Sequence, residues 1–480
     1  MSVSRPYVAD LLRLAGPVAL ARLGIIGMAI ADVILVGQLA PAELPHQAMG
    51  WAPTAVFLVA GIGLLQGVQV LAARAQGEGN PQGAGVALWR GLVLALTAGL
   101  ISAIAMWLAG ENLFTIFGIK PALAAVSTPV MLILAFSLPL HLAYVAATFF
   151  MEAIKKPSIS MAVMWGANIV NLALNLLWVP DLTQSPPSVD WALPLWSMLR
   201  DWPLLNALHD LVPEHGAIGS AWATVCARLF LAGVLLVWIL LLRDGANFGL
   251  RMRGAVGPSY GALLAIGGAA AVSQAVEAGA FSAMTMIAAR LGEEIVAGYQ
   301  IVLNLMALVF MIALGMAAAT AVLVAEASGR GAPKDAARAG WTGIGLNAVA
   351  MIFAALVIVL FSDEIGRAYT SDATLAALIA SLMWLCALVL HPDGAQVVAA
   401  SALRARGDNW FPTWSHIFAY AVVMPVLGFW LAERQGMGVA GLIWAIFWAS
   451  VASALVLLLR WWALSKYGPP ASPPASAEIS

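Results

Sequence analysis

Long apolar stretches fill this chain from end to end, each broken only by a short cluster of Gly, Pro, Asn or charged residues. Twelve stand out, at about 8–39, 46–72, 86–109, 121–149, 157–180, 216–241, 258–291, 296–325, 336–361, 373–402, 411–434 and 438–466. A helix crossing the hydrocarbon core of a bilayer takes about 20 residues, so each stretch is long enough to span. Stretches beyond about 25 residues imply tilt, kinks or ends that project from the bilayer. The breaks carry turn chemistry, as in Gly77-Glu78-Gly79-Asn80-Pro81, Lys156-Pro157 and Gly329-Arg330-Gly331-Ala332-Pro333. Short alternating segments of the kind that build outer-membrane barrels are not the pattern here. The expectation is an all-α polytopic membrane protein with twelve transmembrane helices.

Composition agrees and removes other classes. Of 480 residues, 62% are hydrophobic and 10% charged, whereas soluble domains carry about 25% charged residues. A net charge of −1 offers no basic field, so no nucleic-acid partner is expected. Cys226 and Cys386 both lie inside apolar runs, which argues against a disulfide framework or a zinc site. The first apolar stretch is too long for the core of a cleavable signal peptide. Walker loops, HExxH, paired DxxxD and a Ser-His-Asp set at membrane depth are all missing, so an enzyme is disfavoured and no metal or cofactor is expected.

Lysine and arginine set the orientation. With the N-terminus in the cytoplasm, sixteen of the 23 basic residues fall on the cytoplasmic side, Arg404 and Arg406 among them. Lys120, Arg200, Arg290, Arg367 and Arg434 fall outside, and Arg22 and Arg228 lie within spans. Both termini are therefore read as cytoplasmic, in a cell inner membrane. Residues 181–215 form an external insertion carrying Trp191, Trp196 and Trp202. It reads either as a short interfacial helix capping an external opening or as a Trp-anchored covering loop. Residues 467–480, with Pro469-Pro470 and Pro473-Pro474, read as a disordered tail.

An internal repeat organises the spans. Residues 61–81 match 313–333 at an offset of 252, with Gly63 on Gly315 and Gly77-x-Gly79-x-Pro81 on Gly329-x-Gly331-x-Pro333. Gly216-Ala-Ile-Gly219-Ser-Ala-Trp222-Ala223 matches Gly438-Val-Ala-Gly441-Leu-Ile-Trp444-Ala445 at an offset of 222, shorter because the insertion sits in the first copy only. The domains read as an N-lobe at 8–241 and a C-lobe at 258–466. Six spans per copy make the repeat parallel, so two six-helix lobes are expected around a central cavity, as in a secondary transporter.

Ionised groups at membrane depth are costly and mark partners or function. Three acids are placed well inside spans: Asp32, Glu277 and Asp393. Asn168, Asn171 and Asn175 share one helix face, and with Asp32 and Thr224 they compose an oxygen-rich pocket. Such a pocket suits a hard cation or a proton, since burial disfavours the charged carboxylate. Gln274, Glu277, Phe281 and Met284 share a second face, and Asp393 and Gln396 a third; Gln274, Phe281, Met284 and Gln396 are candidate substrate contacts. Structural readings stand beside these. Asparagine can simply bond helix to helix, Arg22 or Arg228 can neutralise an acid, and Asp32 lies only seven residues from its helix end.

These residues resemble the multidrug and toxic compound extrusion (MATE) family, NorM-like branch, over about 8–466. Pro17 is similar to the family's first-helix proline, where a kink is implied. Ala31-Asp32-Val33-Ile34-Leu35-Val36-Gly37 resembles its acid-then-Gly signature, and Asn171-Leu-Ala-Leu-Asn175 and Gly216 through Thr224 resemble its fifth- and sixth-helix patterns. Glu277 and Asp393 look like the acids tied to cation coupling in NorM-like members. Leu44-Pro45-His46-Gln47 and the long 181–215 insertion depart from the family pattern.

The resemblance implies a monomeric antiporter, with Na⁺ or H⁺ as coupling ion, exporting small organic and often cationic compounds. A lipid-linked precursor or polysaccharide flippase of the same superfamily is the alternative, disfavoured by twelve spans and three buried acids. A non-transporting membrane enzyme is a weaker one.

Overall fold

A computed structural model describes residues 5–116, 120–181, 192–212, 215–250, 257–369 and 373–467. Among them are twelve helices long and apolar enough to cross a membrane: α1 (Tyr7–Leu39), α2 (Pro41–Gly77), α3 (Pro81–Ala109), α4 (Pro121–Ala153), α5 (Pro157–Trp178), α6 (Ala217–Leu240), α7 (Tyr260–Leu291), α8 (Glu294–Gly329), α9 (Pro333–Leu360), α10 (Ala373–Arg406), α11 (Trp410–Arg434) and α12 (Gly438–Lys466). They coincide with the twelve expected spans to within a few residues at each end. Prolines open α3, α4, α5 and α9, where a missing N–H costs nothing. The tail after residue 467 lies outside the described residues.

Two spans are irregular for identifiable reasons. α4 is interrupted at Ser137, between Pro121–Phe136 and Leu138–Ala153, because Pro139 cannot donate into the preceding turn. α11 carries wider π-type turns at Ile417–Val423 and Phe429–Arg434, the first ending just before Pro425. Such turns are often found where a helix aims side chains at a functional site. α1 runs unbroken through Pro17.

The chain packs as two compact units. One comprises Leu20–Ala72 and Pro81–Ala271; the other comprises Met1–Ala19, Ala73–Asn80 and Val272–Ser480. Expected lobe limits and packing units thus differ at the ends of α1, α2 and α7.

Glycine contacts explain the difference. In the first unit a Cβ on Gly63 would lie 2.7 Å from Ala271 Cα, and one on Gly67 would lie 2.6 Å from the Leu263 carbonyl. In the second, a Cβ on Gly315 would lie 2.7 Å from the Ala15 carbonyl and 2.9 Å from Ala19 Cβ. Gly315 and Ala19 are the repeat partners of Gly63 and Ala271 at the offset of 252, so each unit contains the same close helix crossing. Small residues permit such approach where lipid supplies no hydrophobic drive.

The second unit also holds a reciprocal pair. A Cβ on Gly77 would stand 2.0 Å from the Glu326 carbonyl, and one on Gly329 would stand 2.1 Å from the Arg74 carbonyl. Even alanine forces two backbones apart here. Gly77→Ala and Gly329→Ala are each expected to destabilise by about 1–3 kcal/mol, read as a lower melting temperature in detergent. Unchanged melting of both variants would refute this crossing.

The external insertion does contain helix, at Ala192–Asp201 and Pro203–His209; residues 182–191 and 213–214 lie outside the description. Its far end is pinned to α5: Trp178 Nε1 donates to the Leu208 carbonyl at 3.0 Å, and His209 Nε2 lies 2.8 Å from the Pro180 carbonyl. The His209 and His215 rings stack with centroids 3.9 Å apart.

Burial first, and His209 next, hold His215 below the usual histidine range, while the Trp178 carbonyl, Asp181 and Asp210 act the other way. The folded contact therefore favours neutral His215. Its stabilisation is present above the unfolded value of about 6.5 and is lost as pH falls below it. Hydrogen exchange at 203–212, corrected for intrinsic rates, is expected to quicken between about pH 7.5 and 5.5. Equal protection at both values would contradict it.

Candidate functional site

The first candidate site lies within the unit containing α5 and α6. Asp32, on α1, is only 8% exposed. Asn175 Nδ2 donates to Asp32 Oδ1 at 2.8 Å and Thr224 Oγ1 donates to Oδ2 at 2.9 Å. Asn175 also donates to the Asn171 carbonyl one turn back at 2.9 Å, which leaves its own Oδ1 without a partner. Asn171 is fully buried beside Asp32, and neither of its amide atoms makes a hydrogen bond of ordinary geometry.

Asp32, Asn171, Asn175 and Thr224 are therefore brought together as expected from sequence. Asn168 is not part of the group. Its Nδ2 donates to the Gly24 and Met164 carbonyls at 3.1 and 2.9 Å, the helix-to-helix role. Buried polar atoms without partners cost about 1–3 kcal/mol each, so the unpaired oxygens of Asn171 and Asn175 beside a carboxylate form a donor set that fits a hard cation.

The second candidate site lies within the other unit. Glu277 on α7 and Asp393 on α10 line one cavity of about 200 Å³ with Phe281, Leu303, Met306, Ala307 and Phe310. Asp393 is 7% exposed, and its Oδ1 accepts from Tyr420 Oη and Ser450 Oγ, both at 3.3 Å. Those two hydroxyls lie 3.2 Å apart. Tyr420 sits inside the first π-type turn of α11, and the Phe281 ring packs 6.4 Å from it.

The remaining substrate candidates are placed differently. Met284 is fully buried in the helix core, with its sulfur turned toward Gly428, where the missing side chain leaves room. Gln396 is fully buried one turn from Asp393, its amide atoms making no hydrogen bond of ordinary geometry, and Gln274 is half-buried. None of these three lines the cavity.

A buried carboxylate beyond the expected three also appears. Glu152, 2% exposed near the end of α4, accepts from Gln69 Nε2 and lies 3.6 Å from Arg22 Nη2. Arg22 thus neutralises Glu152 rather than one of the predicted acids, and its guanidinium also lies over the Phe149 ring. Arg404, read from sequence as cytoplasmic, is buried at 4% exposure and interacts electrostatically with Glu277. Sequence gave little warning of either. Both sit at span ends beside other charges, where only packing decides burial.

The profile of the MatE family matches residues 17–177 and 269–430, two consecutive segments that together cover most of the membrane domain. The chain belongs to the MatE family. It is a membrane transporter with twelve spans, not an enzyme. It is 38% identical over 452 residues to a probable multidrug resistance protein NorM of Caulobacter vibrioides, covering 94% of this chain and 90% of that one. It is 29% identical over 463 residues to multidrug resistance protein NorM of Burkholderia vietnamiensis, covering 95% and 94%. In fold it is similar to the eukaryotic MATE transporter AtDTX14, with a TM-score of 0.79 at 16% identity over 97% of this chain and 98% of that one. A solved multidrug resistance MATE transporter of the MOP superfamily gives a TM-score of 0.81 at 18% identity, covering 96% and 97%.

Proposed function

We propose that this chain is a multidrug efflux antiporter in which inward movement of Na⁺ or H⁺ drives export of small organic, often cationic, compounds by alternating access. The observation that carries this reading is the Asp32 group: a carboxylate in a membrane helix, held by Asn175 and Thr224, with unpaired amide oxygens beside it. It is supported by the likeness to the NorM multidrug resistance proteins. An ion neutralising the carboxylate removes the charge that attracts a cationic compound, so ion and compound compete. The ion can drive transport only if it binds the two access states with different affinity. Glu277 and Asp393, lining one cavity, supply a second place where the same competition operates.

The proposal requires no cofactor beyond the coupling ion, places both termini in the cytoplasm from the Lys and Arg bias, and takes the chain as a monomer. Expression in a host lacking its own pumps tests the reading. Raised resistance to ethidium-like compounds is expected; unchanged resistance to every compound tried would refute it.

A further inference from the structure

The first unit contains a cavity of about 400 Å³ whose wall includes Asp32 and Thr224, and also His141 and Arg228. Cation chemistry at Asp32 has no use for either of these groups. His141 on α4 is 4% exposed, and neither ring nitrogen has a hydrogen-bond partner. Arg228 on α6 is 2% exposed. Its Nη1 donates to Ser137 Oγ at 2.6 Å, and its Cζ lies 5.3 Å from the centre of the Trp51 ring.

Ser137 and His141 are one turn apart, with the His141 N–H donating to the Ser137 carbonyl at 3.0 Å. Guanidinium and imidazole therefore belong to the same stretch of wall. Gln47 donates to Ser220 Oγ at 3.1 Å and keeps its own Oε1 unpaired.

Arginine carries five N–H donors, and no carboxylate among the described residues comes within ion-pair distance of Arg228. A buried cation without such a contact is costly, and the longer-range attraction of Asp32 in the same cavity wall offsets part of that cost. Here an aromatic face and one hydroxyl hold it in place, and its remaining donors are left for something that enters the cavity. The imidazole of His141, also unpaired, belongs to the same wall one turn along. Charge-assisted bonds from a guanidinium to a carboxylate are among the strong ones.

We propose that Arg228 and His141, backed by Trp51, form an anion-accepting subsite in the cavity that contains Asp32, so that this cavity takes organic zwitterions, an amine at Asp32 and a carboxylate at Arg228. The inference rests on the export reading above and narrows its substrate class. A permanent cation is attracted by Asp32 but opposed by Arg228, whereas a zwitterion satisfies both and leaves the cavity neutral.

Rhodamine 110, which has a free carboxylate, and rhodamine 123, its methyl ester, form a matched pair. Fluorescence polarisation with the purified full chain in detergent is expected to show rhodamine 110 binding about tenfold more tightly, the scale of one charge-assisted hydrogen bond. Arg228→Met erases the preference by weakening rhodamine 110, while rhodamine 123, freed of repulsion, binds more tightly. That gain also reports that the variant is folded. Should Arg228→Met not fold, His141→Phe carries the test, with the preference falling to about threefold. A wild-type chain that binds rhodamine 123 as tightly as rhodamine 110 overturns the subsite and leaves the export reading standing, as does a preference unchanged in the variants. Binding of neither dye overturns the subsite, and the export reading is then decided by the resistance assay alone.

Discussion

Asp32→Asn is expected to abolish gradient-driven export while the chain still inserts and folds. The substitution keeps the size of the side chain, so packing among α1, α5 and α6 is preserved. It replaces a charged acceptor of two hydrogen bonds, from Asn175 and Thr224, by a neutral amide. One amide face now presents N–H to a neighbour that also donates. The unpaired oxygens of Asn171 and Asn175 remain, but without the carboxylate their field is too weak to hold a cation. Loss of one charge-assisted interaction corresponds to about tenfold to a hundredfold in ion affinity, and coupling falls with it. Resistance of a pump-deficient host, set against the amount of protein in its membrane, checks this. Normal resistance at normal expression would remove Asp32 from the coupling site.

Glu277→Gln and Asp393→Asn are each expected to reduce ion-driven export to background. Both acids line the same small cavity, so the amide variant of either removes one of its two carboxyl groups. Asp393 has the additional consequence that Tyr420 and Ser450, which converge on its Oδ1, lose a charged acceptor. Transport by each variant at matched expression is the measurement. Near-normal export by both would confine coupling to the Asp32 group.

The helices were legible because each span is a long apolar run ended by turn residues, and in lipid almost nothing but a helix satisfies such a backbone. The Asp32 group was legible for a related reason. With so few polar residues at membrane depth, Asn171, Asn175 and Thr224 had few possible partners other than Asp32. Met284 shows where periodicity runs out. It shares a helix face with Glu277 and Phe281, but that face is divided between cavity and core, and the gap at Gly428 draws the thioether to the core side.

Tyr420 could not be read as a partner of Asp393, since its direction depends on a π-type turn that shifts the helix register. Glu152 and Arg404 sit near Lys155, Lys156 and Arg406 in the sequence, which suggested solvent. Their burial comes from helices far away in sequence. Gln69 and Arg22 close over Glu152, a contact no local pattern announces.

Ethidium movement in proteoliposomes containing the purified chain, under an imposed Na⁺ gradient and then an imposed pH gradient, tests coupling most directly. At least one of the two gradients is expected to drive ethidium against the direction of ion flow, and Asp32→Asn to abolish that movement. Ethidium equilibrating at the same rate with either gradient, with none, and in the Asp32→Asn variant would contradict cation-coupled export.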